Sequence, residues 1–157
     1  MGRRYAVVFE AVAVTAIQDL FEIVAGPNTV VVIHACFISQ ESDAGDAQDE
    51  LLRVTWTRGY TTSGSGGTAA NATPLDSGDV ADEAAIEVNN TVQASVGTPV
   101  ILHVECFNVR AGWAYIPTPE CRITLSPDER LVLELPVAPA DALTMSGTLI
   151  FEELGGT

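Results

Sequence analysis

The groups in this chain with chemistry to offer are a run of carboxylates, two histidines and three cysteines. In ESDAGDAQDELLRV, residues 41–54, acids stand at 41, 43, 46, 49 and 50 before the chain turns apolar. Asp43, Asp46, Asp49 and Glu50 around Gly45 loosely suggest a calcium loop, but the order fails the ligand pattern of an EF-hand, which needs Asp, Asp/Asn and Gly at fixed offsets and a Glu at the twelfth position. The expectation is a solvated bend between strands, with no metal. His34 and His103 are the only histidines, each set among apolar residues, and His103 with Glu105 offers at best two ligands from one strand face. A hydrogen-bonded histidine within a sheet or a subunit contact is expected at both. Cys36, Cys106 and Cys121 form no CxxC pair and have no histidine cluster beside them, which argues against a disulfide framework or a zinc site. Serine catalysis finds no G-x-S-x-G motif, and the Gly-rich segment around Ser63 and Ser65 lacks the lysine of a phosphate loop. No residue is nominated as catalytic and no cofactor is expected. Trp113 and Tyr115, alternating in RAGWAYIPTPE, are a possible carbohydrate platform; the commoner role for strand aromatics is to cap a sandwich or fill an interface.

Elements must position these groups, and composition bounds them. The 157 residues are 47% hydrophobic, enough for one core in one domain spanning 1–157 with short flexible termini. Twenty-one acids face seven arginines and no lysine, a net charge of -14 whose field repels a polyanion, so a nucleic-acid partner is not expected. No stretch is long and apolar enough for a membrane helix, and the opening residues do not read as a secretory signal, so synthesis in the cytoplasm is expected.

Apolar runs are short, rich in Val, Ile, Thr and aromatics, and bounded by Gly, Pro, Asn or Asp, which is the pattern of an all-β antiparallel sandwich. Strands are expected at about 4–14, 19–25, 29–39, 51–58, 84–88, 91–95, 99–109, 113–116, 120–125, 130–135 and 145–152. LVLELP puts Leu131, Leu133 and Leu135 on one face and Val132 and Glu134 on the other. TVVVIHACFI, residues 29–38, is apolar on both faces, and PVILHVECFNV sets His103, Glu105 and Phe107 together on one face. A charge between apolar neighbours is easier to house at an interface than in a dry core, so His34, His103, Glu105 and Phe107 are the expected oligomer contacts. TTSGSGGTAANAT has no side chain larger than Thr or Asn, and residues 59–73 are expected to form a long, exposed Gly/Ser-rich loop.

The succession AVTAIQDLFEIVAGPNTVVVIH, ISQESDAGDAQDELLRVTWTRG, a Gly/Ser bridge and NNTVQASVGTPVILHVECFNVRAGWAYIPTPECRITLSPDERLVLELPVAPADALTMSGTLIFEEL resembles small head-associated proteins of tailed bacteriophages over nearly the whole chain. The resemblance implies a non-enzymatic virion protein with a jelly-roll-like fold. It would bind the major capsid protein on the outside of the head as a homotrimer, decorating and cementing the shell. In that setting Arg3 and Arg4, the only adjacent basic pair, are the expected foothold on an acidic capsid. The alternative is a tail or head-fibre module that binds host carbohydrate through the 59–73 loop or through the face of Trp113 and Tyr115.

Overall fold

The computed structural model describes residues 2–41 and 50–156. Twelve strands form among them: β1 (Arg3–Val14), β2 (Gln18–Val24), β3 (Thr29–Gln40), β4 (Leu51–Thr62), β5 (Thr68–Ala70), β6 (Thr73–Pro74), β7 (Ala85–Asn90), β8 (Ser95–Asn108), β9 (Trp113–Tyr115), β10 (Thr124–Leu125), β11 (Arg130–Leu135) and β12 (Leu143–Gly155). The fold is all-β, with two antiparallel sheets in a sandwich-like arrangement. One sheet runs β10-β3-β12-β1-β6, with β9 also on β3; the other runs β5-β7-β2-β11-β4-β8.

Alternation explains the layers. Tyr5, Val7 and Phe9 of β1 point into the sandwich and are buried, as are Leu131, Leu133 and Leu135 of β11 and Leu149 and Phe151 of β12. Across the gap Phe9 meets Phe21 with ring centroids 5.2 Å apart, and Trp56 meets Tyr115 at 5.9 Å, so aromatic contacts tie one sheet to the other.

Three expectations change. Residues 91–95 do not form a strand: Val92 makes an isolated bridge to Ser65, and β8 begins at Ser95. Residues 120 and 121 of the expected 120–125 strand belong instead to a 3-10 turn opened by Pro119, leaving Thr124–Leu125 to pair with β3. The segment 59–73 is not one long loop, since β4 runs on to Thr62, Thr68–Ala70 pairs with β7 and Thr73–Pro74 pairs with β1.

The course of that segment follows from the strand order. The chain leaves β4 near one edge of its sheet and rejoins the sheet at β5, on the opposite edge, then returns from β7 to β8. Both connections must cross the sheet, and the core occupies its inner face, so they cross the outer one. Gly59 and Gly97 make the bend possible. Both have positive φ (103° and 83°), and a Cβ on either would stand 2.2–2.3 Å from a backbone oxygen of the facing strand.

Candidate functional site

The crossing segment covers a layer of charge. On the outer face of the second sheet, register aligns Asn90, Asp19, Glu134 and Thr55 in one row and Glu87, Glu22, Val132 and Thr57 in the next. Asp19, Glu22, Glu134, Thr55, Thr57 and Val132 are all buried. Glu22 is fully engaged: Oε1 accepts from Arg130 Nε at 2.7 Å, and Oε2 accepts from the Gly64 backbone N–H at 3.0 Å and the Asn90 amide at 3.2 Å. Asp19 accepts from the Ala94 backbone N–H at 2.7 Å and from the Gln93 amide at 3.3 Å. Burial nevertheless pushes its carboxyl up to about 7, with Glu134, directly opposite, and Glu22 adding to the rise. Burial also pushes Tyr60 up to about 12, helped by Glu134, which accepts from its hydroxyl. Glu134 Oε1 is buried with no hydrogen-bond partner among the described residues. Sequence reasoning placed none of these acids in a site. The available signal was acids set among the apolar residues of two strands, two in DLFEIV and one in LVLEL.

The second cluster stands where β8 passes β9. Glu105 Oε2 accepts from Trp113 Nε1 at 2.8 Å and pairs with His103 Nε2 at 2.9 Å. The His103 contact and then the indole donor hold the Glu105 carboxyl below its ordinary range. The His103 ring lies 4.9 Å from that of Tyr115, edge to face, and Trp113 stacks on Tyr115 at 5.7 Å. The structure thus joins His103 and Glu105 to Trp113 and Tyr115, which the sequence assigned to separate roles. It also corrects the carbohydrate platform: Trp113 and Tyr115 are 5% and 7% exposed, so neither ring offers a face to a sugar. Register keeps His103, Glu105 and Phe107 on one face of β8, as expected, and it is the inner face, opposite Trp56, Val54 and Leu52; Phe107 is buried in the core while His103 and Glu105 lie at its rim. Beside this cluster lies a groove of about 520 Å³ lined by Leu102, Ile116, Pro117, Cys121 and Ile123, among others.

The remaining expected site residues lie apart. His34 of β3 pairs with Glu152 of β12 at 2.8 Å, both partly buried, on the other sheet from His103. Arg3 is tied down, its Nη2 donating to the Gly155 carbonyl at 3.2 Å and lying 3.8 Å from Glu153, whereas Arg4 is exposed near Asp76 and Asp79. Glu153 is buried and accepts from the backbone N–H groups of Glu83 and Ala84. Asp43, Asp46 and Asp49 of the suggested calcium loop lie outside the described residues. Their neighbour Glu50 accepts from the Ala140 backbone N–H. Among the described residues no three His, Cys, Asp or Glu side chains are grouped to hold a metal ion, and no helix is long and apolar enough to cross a membrane. Cys36 is buried, its thiol pushed well above the ordinary range by desolvation, while Cys106 and Cys121 are exposed.

The surface of β8 differs from both clusters. β8 is an edge strand with β4 as its neighbour. Val96, Val100, Ile101, Leu102 and Val104 are all exposed along it, between 38% and 67%. A run of large apolar side chains on a sheet edge is a surface suited to another protein. Compared with protein-family models, curated proteins and solved structures, the chain matches none.

Proposed function

We propose that this chain is a non-enzymatic structural protein of a bacteriophage virion, binding the major capsid protein on the outside of the head as a homo-oligomer, three copies being the number its phage likeness implies. The observation that carries the reading is the exposed apolar run on β8, set against polar clusters that are sealed or internally paired. Such a molecule has its binding area on a strand, which suits a protein surface better than a small substrate.

We read the sandwich as a jelly roll, an architecture that recurs in viral capsid proteins. The pairings β1 with β12, β2 with β11, β3 with β10 and β4 with β8 are those of one long hairpin. Rolling that hairpin up brings β12 beside β3 and β11 beside β4, and both contacts are present. In this reading β5, β6 and β7 are additions between the fourth and fifth strands of the roll.

The shell would gain from mass action: contacts that exist only when subunits bridge neighbouring capsomers favour the closed head, and several weak footholds on one oligomer act together. Exposed Arg4 is the better foothold of the arginine pair, since Arg3 is engaged within the chain. The acidic surface suits the outside of the head rather than packaged DNA. Of the two glycan contacts in the rival reading, the Trp113 and Tyr115 face is lost with their burial, which leaves the 59–73 segment. Co-sedimentation of the purified protein with capsids that lack it tests the proposal. Saturable binding is expected, and no binding to either immature or expanded capsids would reject it.

A further inference from the structure

We infer that the β8 ridge and the groove beside it form a self-association surface whose occupant is a second copy of this chain. The inference rests on the reading above and narrows it: β8 joins the copies into the oligomer, and the capsid contact is left to the exposed Arg4 end of the chain. The first argument is charge. Each copy carries a net charge of -14, so two copies repel unless they meet where neither is charged. From Val88 to Val104 there is no Asp, Glu, Lys or Arg, in a chain where such residues are otherwise frequent. Glu105, the next acid, has its Oε2 turned to His103 and Trp113. The charges that register sets beside β8 on β4 are basic, Arg58 opposite Val100 and Arg53 opposite Cys106, so a cationic partner is repelled there and an acidic copy of the same chain is not.

The second argument is shape. Val100, Ile101 and Val104 are 51–57% exposed, Ile101 and Val104 on the outer face opposite Thr57 and Thr55, and Val100 on the other face opposite Arg58. The adjoining groove is lined by Leu102, Ala114, Ile116, Pro117 and Ile123, with Ile116 68% exposed, and also by the paired His103 and Glu105. A free edge that carries apolar side chains on both faces, with a groove beside it, is self-complementary: a two-fold turn lays each edge against its twin's. Side chains rather than a shared strand ladder make the contact. Gly97, Pro99 and the register shift at Leu102 disturb the edge that a new strand would pair with.

Two exposed thiols report on this surface, Cys106 on β8 and Cys121 in the groove, with buried Cys36 as the silent control. Sedimentation of the wild type is expected to give a multiple of 16.5 kDa that dissociates on dilution. Maleimide labelling of Cys106 and Cys121 should be several-fold slower in the associated form. Ile101→Glu and Val104→Glu, at exposed positions, should weaken association by roughly tenfold or more with an unchanged circular dichroism spectrum. Val8→Glu, on the outer face of the other sheet, should not. A wild type that sediments at 16.5 kDa at every concentration, with labelling independent of concentration, overturns the inference even if the variants fail to fold. So do β8 variants that keep the wild-type mass. A monomer that binds capsids and has Cys106 shielded there overturns self-association and leaves the capsid reading standing. A multimer that ignores capsids does the reverse.

Discussion

Two parts of one sheet treat water in opposite ways. At the centre of its outer face, around β2 and β11, the chain buries three carboxylates under its own backbone; at the β8 edge it leaves valines and isoleucines uncovered. Burying charge costs free energy unless every lone pair is met, and leaving apolar area bare forgoes about 25 cal/mol per Å². The contrast teaches that the Gly-rich crossing acts as an internal partner. It adds backbone N–H donors to carboxylates that side chains alone do not satisfy, while β8 is left for a partner from outside.

The largest effect should come from breaking the covered side. Glu22→Leu strands the Arg130 guanidinium and removes the acceptor for Gly64 and Asn90, and urea denaturation should register a loss of about 3 kcal/mol. Next comes pH. The folded-state pKa of Asp19 is raised to about 7 from the usual 3.8, so the unfolded chain gives up this proton first. Its contribution to stability is therefore present below about pH 4, falls as pH rises through 7, and then stays level. The melting temperature of Asp19→Asn relative to wild type should grow across that window and plateau above it; a flat difference would place the proton elsewhere. Gly64→Ala should cost about 1–3 kcal/mol, because the new Cβ would lie 2.6 Å from the Val92 carbonyl oxygen and 2.9 Å from the Asn90 amide nitrogen. The smallest effect belongs to the open side: Val100→Thr, measured in dilute protein, should stay within about 0.5 kcal/mol. If it approached the Glu22 variant in size, the two regions would not differ as described.

Where side chains carry the information, the sequence was readable. Period-two alternation located β1, β3, β11 and β12 to within a few residues, because each has one face on the core. Segment 59–73 was misread because its contribution is made by backbone: Gly64 has no side chain, yet its N–H holds Glu22. Small residues that read as slack are there to let the chain pass closely over the sheet. The candidate cluster was half legible. His103 and Glu105 were correctly placed together, but Trp113 comes from a strand of the other sheet, and no local spacing reveals a cross-sheet hydrogen bond. Nor does alternation say which of two faces is inward, which is why Trp113 and Tyr115 were assigned outward as one possibility.

The strand order also has a kinetic consequence. β12 lies between β1 and β3, and β11 lies between β2 and β4, so the centre of each sheet is filled by residues made after position 129. A growing chain on the ribosome therefore holds its first four strands with both middles vacant, unable to zip until the last quarter emerges. Such long-range closure puts folding on the order of milliseconds to seconds rather than microseconds. The half-made product is the species most exposed to misassembly, and the most in need of a chaperone's shelter.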